Sequence, residues 1–310
     1  MPTIVIKLGE ERATGYIAEM HKLDPDLKIR EWPDVGDPND VDIAMVWKMP
    51  HGELAKFPNL KLIMSMAAGV DHVLGDPDMP RGVPLVRVTD PHMARSMSHW
   101  AAMNILRLHR ETAYYEDLRS RREWAPERAF DTDSVRVGIL GLGYLGTHVA
   151  KMLQAMGLKV QGWARSPKSI EGIRSFQGTD GLHEMVASTN YLLCLLPSTT
   201  ETVGIMNADL FARMPKGSHV LNCGRGAQLV EPDLTAALDS GQIAGAALDV
   251  FREEPLPQDH PFWTDKRIIM TPHHAAEVYP PAVAATFLDN ILRCREGRPL
   301  NGLVDLSVGY

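Results

Sequence analysis

Gly141-Leu142-Gly143-Tyr144-Leu145-Gly146 is the segment that most narrows what this chain can fold into. It follows an apolar run from Val135 to Leu140 and opens a helical pattern over Tyr144–Met156. A second apolar run, Leu158–Trp163, comes next. A bare G-x-G-x-x-G says little, but strand, glycines, helix and second strand in register are specific. The first glycine permits a tight turn. The second lets backbone approach a pyrophosphate at the helix N-terminus, and the third lets helix and strand pack closely. The alternative is a glycine-rich turn that holds nothing, which this context disfavours.

The rest of the chain extends the pattern. Thr3–Lys7, Asp42–Trp47, Lys61–Met66 and Leu85–Val88 read as short buried strands, with a helical pattern at Arg12–Lys22. Pro91 to Arg122 reads as one long helix, since Met93, Met97, Trp100, Ala101, Ile105 and Leu108 recur near helical spacing. A second series begins at Ser134, with further strands at Tyr191–Leu196, His219–Asn222, Ala244–Asp249 and Ile268–Met270. Helices follow at Glu231–Ser240 and Ala282–Glu296. Strands alternating with helices predict an α/β protein with parallel sheets, and 310 residues suit two domains.

Charge and composition exclude other classes. A net charge of −7 with no basic block argues against a nucleic-acid partner. No apolar run has the length of a membrane span. The opening MPTIVIKLGEE reads as a strand, not a signal peptide. Three scattered cysteines, Cys194, Cys223 and Cys294, suit a reducing cytoplasm. The histidines show no metal-ligand spacing, so no metal is expected.

The end of the second strand of the fingerprint bears on the cofactor. An acidic residue there would bind the adenine ribose hydroxyls of NAD. Here Trp163-Ala164-Arg165-Ser166-Pro167-Lys168 has no carboxylate, and Arg165, Ser166 and Lys168 offer donors to an anion. A guanidinium grips a 2′-phosphate that a carboxylate would repel, so NADP(H) is favoured over NAD(H).

Three later strands are each followed by polar residues: Asn222-Cys223-Gly224-Arg225-Gly226, Asp249 to Pro255, and Thr271-Pro272-His273-His274-Ala275. Ligands of open α/β sheets bind beyond the carboxyl ends of the strands. An Arg, a carboxylate and a His gathered there suit reduction of a 2-keto acid. Arg225 would bind the substrate carboxylate and polarise the C2 carbonyl, and His273 would donate the proton. Glu254 would hold the imidazole in one tautomer and keep it protonated near neutral pH. Taken singly, each has a structural alternative: a salt bridge, a packed histidine, a polar turn. Behind a dinucleotide fingerprint they support one another.

VGILGLGYLG, LNCGRG, LDVFREEPLP, TPHHAA and SMAAGVDHV resemble, in order and spacing, the signatures of the D-isomer-specific 2-hydroxyacid dehydrogenases. Within that family VWKMP, WARSPKS, LLPSTTETVGI and the GLVDLSVGY ending most resemble the bacterial glyoxylate/hydroxypyruvate reductases of the A type, which use NADPH. The resemblance implies catalytic residues Arg225, Glu254 and His273, with Ala68 and Gly69 holding the substrate carboxylate through backbone N–H groups beside Arg225 and His273. It implies a cofactor site of Gly141, Gly143, Leu145, Gly146, Trp163, Arg165, Ser166, Lys168, Pro197, Thr202, Cys223, Gly224, Asp249 and Ala275. It also implies a flavodoxin-like substrate domain (1–98 with 278–310), a Rossmann nucleotide-binding domain (99–277), and a cytoplasmic homodimer acting on a small 2-keto or 2-hydroxy acid. His99 stands where many relatives carry Glu, and His274 where an apolar residue is usual; beside His273 it could alter that ring's titration. The alternatives are a family member with another 2-hydroxy acid substrate, or a non-catalytic dinucleotide-sensing protein.

Overall fold

The computed structural model describes residues 2–8, 10–126, 133 and 135–306. Ser134 and the last four residues of GLVDLSVGY lie outside them. In chain order the elements are β1 (Thr3–Lys7), α1 (Glu10–Leu23), β2 (Lys28–Glu31), β3 (Val41–Val46), β4 (Leu62–Ser65), α2 (Asp71–Leu74), β5 (Leu85–Val86), α3 (Pro91–His109) and α4 (Thr112–Arg121). There follow β6 (Arg136–Leu140), α5 (Tyr144–Ala155), β7 (Lys159–Trp163), β8 (Arg174–Phe176), α6 (Gly178–Val186), β9 (Tyr191–Cys194), α7 (Ala208–Arg213), β10 (Ser218–Asn222), α8 (Glu231–Asp239), β11 (Ile243–Leu248), β12 (Ile268–Met270) and α9 (Pro280–Glu296).

The chain divides into two compact units, Met1–Met93 with Val278–Tyr310, and Ala94–Glu277. The first carries a five-stranded parallel sheet of order β2-β1-β3-β4-β5, the flavodoxin-like arrangement. Its central strands are buried on both faces, and α9 packs on α1 and reaches β4. The C-terminal helix thus belongs with the first sheet.

The second unit carries a seven-stranded parallel sheet of order β12-β11-β10-β9-β6-β7-β8. Counted from β6, the order reverses between the first and fourth strands, as in a Rossmann sheet, with one strand more. One apolar layer, including Leu192, Val220 and Leu248, packs under α6, α7 and α8; the other, including Val137, Leu193 and Ala247, packs under α3 and α5. Two-sided burial is why these strands read as continuous apolar runs.

The single long helix expected over Pro91–Arg122 is two helices. The apolar face of α3 (Met93, Met97, Trp100, Ala101, Ile105) is buried, but beyond Leu108 the sequence offers little to bury, and α4 buries only Leu118. Between them Glu111 takes a left-handed conformation (φ 49°), and the Thr112 hydroxyl donates to the Arg107 carbonyl at 2.8 Å. A side-chain donor thus satisfies a helix-end carbonyl where packing no longer sustains the helix. β2 and β8, short and partly exposed edge strands, lacked a clear sequence signal. No helix among the described residues is long and apolar enough to cross a membrane.

Candidate active site

The fingerprint turn joins β6 to α5. Gly141 has φ +102°, and a Cβ on Gly146 would lie 1.8 Å from the Gly141 carbonyl oxygen, so neither position tolerates a side chain. Gly143 differs: a Cβ there would meet nothing within 4 Å. It caps α5 without a side-chain hydrogen bond, and the first turn of α5 has no acidic residue. A helix N-terminus approached over open backbone fits an anion such as a dinucleotide pyrophosphate. Leu145 points inward, against the apolar layer that contains Leu142 and Val149.

Beyond β7, the Trp163 indole donates to the Gly178 carbonyl at 2.8 Å, and Arg165, Ser166 and Lys168 are exposed. Two cations and a hydroxyl with no carboxylate among residues 163–168 suit a 2′-phosphate. Beyond β9, the Thr202 hydroxyl donates to the Pro197 carbonyl at 2.6 Å and accepts from the Thr199 amide at 2.9 Å, closing that loop on itself.

Arg225 follows β10. Buried Asn222 shapes the turn: its Oδ1 accepts from the Gly224 amide at 3.1 Å and its Nδ2 donates to the Arg225 carbonyl at 2.9 Å. The Arg225 amide donates to Gln228 Oε1 at 2.6 Å, and Gln228 Nε2 donates to the Leu196 carbonyl at 3.0 Å. The guanidinium is half-buried, with Nη1 donating to the Gly224 carbonyl at 2.8 Å. Cys223 is buried, and burial, then nearby Asp249, pushes its thiol well above the usual range, so it is a neutral packing group. A Cβ on Gly226 would lie 1.9 Å from the Phe251 carbonyl. That close approach sets the Arg225 turn against the segment that carries Glu254.

Asp249, at the end of β11, is 1% exposed and organises the next loop. Its Oδ1 accepts from the Thr271 hydroxyl at 2.5 Å and the His274 amide at 2.8 Å; its Oδ2 accepts from the Ala275 amide at 2.9 Å. The Asp249 carbonyl accepts from the His273 amide at 2.8 Å. His273 itself sits at φ 54°, a conformation that costs on the order of 1–3 kcal/mol in a residue other than glycine and persists only where neighbours hold it. Its Nδ1 lies 2.8 Å from Glu254 Oε2, while Glu254 Oε1 accepts from the Phe251 amide at 3.1 Å. A carboxylate on Nδ1 selects the Nδ1–H tautomer and leaves Nε2 for another partner.

The second unit therefore joins Glu254 to His273 directly, Asp249 to Thr271 and residues 273–275 by hydrogen bonds, and the Arg225 turn to residues 251–252 by packing. Ala68 and Gly69 belong to the first unit, in the half-buried loop after β4. There Ser65 Oγ accepts from the Ala67 amide at 3.2 Å and contacts His72 Nε2 at 2.9 Å. His274 Nε2 is paired with Glu277 at 2.9 Å, so its partner is not the Glu254 that holds His273. His99 is exposed on α3. Sequence reasoning missed Ser96, Trp100 and Thr271 as supports of the His273 loop: Ser96 Oγ donates to the Ala275 carbonyl at 3.2 Å, and the Trp100 indole to Thr271 Oγ at 2.8 Å. The only signal was the i, i+4 spacing of Ser96 and Trp100.

Residues 102–275 match the sequence model of the D-isomer specific 2-hydroxyacid dehydrogenase NAD-binding domain. Glyoxylate/hydroxypyruvate reductase A of Serratia proteamaculans is 41% identical over 303 residues, 96% of each chain. A D-isomer specific 2-hydroxyacid dehydrogenase from Xanthobacter autotrophicus Py2, solved with NADPH and MES, superposes with a TM-score of 0.95 at 37% identity, over 100% of this chain and 99% of that one. An NADPH-dependent glyoxylate/hydroxypyruvate reductase from Sinorhizobium meliloti, solved with NADP and sulfate, gives 0.94 at 36% identity over 100% of both.

Proposed function

The chain belongs to the D-isomer specific 2-hydroxyacid dehydrogenase family, and on that premise we propose that it is an NADPH-dependent reductase of small 2-keto acids, converting glyoxylate to glycolate and hydroxypyruvate to glycerate. The observation that carries this reading is the 2.8 Å contact between His273 Nδ1 and Glu254, on a loop beside the Arg225 turn and on the same sheet as the fingerprint. The relatives named for these two substrates, and the neighbours solved with NADP or NADPH, support the substrate and cofactor.

Bound at the fingerprint with its 2′-phosphate toward Arg165, Ser166 and Lys168, NADPH would supply a hydride to C2. Gly141, Gly143, Leu145 and Gly146 form the pyrophosphate turn. Trp163, Pro197, Thr202, Cys223, Gly224, Asp249 and Ala275 complete the cofactor site. Arg225 binds the substrate carboxylate and draws electron density from the carbonyl, so C2 becomes the better hydride acceptor. His273 then donates its Nε2 proton to the developing alkoxide, and Glu254 steadies the ring through Nδ1. The product is the 2-hydroxy acid, with His273 left neutral. We assign the unit of residues 94–277 to the dinucleotide and the other unit to substrate contacts, Ala68 and Gly69 included.

We also propose a homodimer formed through α3 and α4 and a cytoplasmic location. Met103, Leu106, Tyr115 and Trp124 are exposed apolar side chains on or just beyond these helices, the kind of surface that self-association covers. Sedimentation tests the dimer, and a monomer at micromolar concentration would refute it. The decisive assay follows the loss of NADPH absorbance on adding glyoxylate or hydroxypyruvate, with NADH in parallel. Turnover that prefers NADPH is expected. Tight NADPH binding without turnover across a keto-acid panel would move the protein to a sensing role.

A further inference from the structure

The loop that carries His273 is held from both sides by one helix. On α3, Ser96 and Trp100 are four residues apart and therefore share a face. Ser96 Oγ donates to the Ala275 carbonyl at 3.2 Å and accepts from the Glu277 amide at 3.1 Å. Trp100, 6% exposed, donates its indole N–H to Thr271 Oγ at 2.8 Å. The two contacts bracket His273, one two residues before it and one two residues after.

The direction of the hydrogen bonds at Thr271 is forced. An indole N–H can only donate, so the Thr271 oxygen accepts from Trp100. The one hydroxyl proton then goes to Asp249 Oδ1, 2.5 Å away. The same carboxylate receives the His274 and Ala275 amides. The chain Trp100–Thr271–Asp249 thus sets the path of residues 271–275 and maintains the left-handed conformation of His273. Trp100 and Asp249 are buried and Thr271 between them is half-buried, so removing the Thr271 hydroxyl leaves two buried groups without that partner.

We propose that Ser96, Trp100 and Thr271 are positioning residues for proton transfer: a splint on α3 that holds His273 at the angle where Nδ1 meets Glu254 and Nε2 meets the substrate. None of the three touches the reacting atoms. The proposal rests on the reading of His273 as proton donor, so its test uses one readout that needs turnover and one that does not.

Thr271→Val, Thr271→Ser, Trp100→Phe and Ser96→Ala are compared in kcat, in the KM for NADPH and in melting temperature. Serine keeps the hydroxyl that valine removes. Misplacement of a catalytic group by about 1 Å lowers kcat by as much as roughly a hundredfold. That fall is expected for Thr271→Val and Trp100→Phe, with a smaller one for Ser96→Ala and KM for NADPH changed by no more than about threefold. Thr271→Ser should recover most of kcat. Independently, nitrogen-15 NMR of the NADP-loaded protein at alkaline pH should show His273 as one Nδ1–H tautomer in wild type and Thr271→Ser, and a tautomer mixture in Thr271→Val. A Thr271→Val enzyme with wild-type kcat and a single tautomer overturns the proposal, as does a Thr271→Ser enzyme as slow as Thr271→Val. If wild type reduces no keto acid, the proposed function falls and the tautomer measurement alone decides this inference. If Thr271→Val does not fold, Trp100→Phe and Ser96→Ala are read by the same two measurements, and wild-type behaviour in both overturns it.

Discussion

At the carboxyl edge of the seven-stranded sheet, Asp249, Glu254 and His273 are hydrogen-bonded by loop amides and by one another, and His273 retains 38% of its side-chain exposure. At the amino edge of the same sheet lies a second cluster of titratable rings. Tyr191 opens β9 and His219 is the second residue of β10; their rings stack at 5.0 Å, and His109 meets Tyr191 edge-on at 6.1 Å. Burial, then the nearby His109, lowers the pKa of His219 to about 4. Burial, then Glu111, raises that of Tyr191 to about 12. Burial, then Arg110, lowers that of His109 as well. Both edges concentrate ionisable groups, but the carboxyl edge hydrogen-bonds its carboxylates to loop amides, whereas burial is the leading cause of the shifts at the amino edge. Backbone amides offered by a loop satisfy a carboxylate, whereas rings packed over an imidazole or a phenol desolvate it and favour its neutral form.

The largest effect that could break this contrast comes from paired substitutions, one at each edge. His273→Ala should lower kcat for glyoxylate reduction by roughly a hundred- to ten-thousandfold, the range for loss of a general acid. Tyr191→Phe, which keeps the ring and removes only the hydroxyl, should leave steady-state kcat at neutral pH unchanged. Comparable losses in the two variants would mean that the amino edge takes part in the chemistry.

How much of this contrast was legible in the sequence depends on distance along the chain. The fingerprint, the buried strands and the Arg225, Glu254 and His273 segments were readable because each is a local pattern of residue types after an apolar run. The break between α3 and α4 was not, because helical periodicity fades at Leu108 without a proline or glycine, and Glu111 carries no signal for a left-handed turn. The contacts of Trp100 with Thr271 and of Ser96 with Ala275 join residues more than a hundred positions apart, and no local pattern announces them. The rings at the amino edge were invisible for the same reason: His109, Tyr191 and His219 meet only once the sheet and α3 have formed.

A smaller effect sharpens the contrast within the carboxyl edge. Arg165, Ser166 and Lys168 are exposed, so the 2′-phosphate contact proposed for them would be partly shared with water. Loss of one charge-assisted contact typically amounts to about 1.5–3 kcal/mol when desolvated and less at the surface. Arg165→Ala should therefore raise the KM for NADPH by about tenfold and leave that for NADH nearly unchanged. Parallel steady-state titrations with the two cofactors check this, and an equal loss with both would show that Arg165 does not read the phosphate.

The smallest effect belongs to the amino edge and appears in stability, not in rate. A histidine with a pKa near 4 in the fold and near 6.5 when unfolded binds its proton more readily in the unfolded chain. Between those values the unfolded state takes up more protons, so stability rises with pH. The contribution is fully present above about pH 6.5 and is lost as pH falls toward 4. By pH 5 the loss from His219 is about 2 kcal/mol at most, and somewhat less because the ring is not wholly buried. His109, lowered in the same direction, adds to it. His219→Phe preserves an aromatic face against Tyr191 and removes the proton site. Denaturant unfolding at pH 7 and pH 5 should therefore show a smaller acid penalty in this variant than in wild type, with keto-acid turnover at pH 7 unaltered. An unchanged acid penalty would mean that the amino-edge ring is protonated without strain in the fold, and that burial there does not exclude charge.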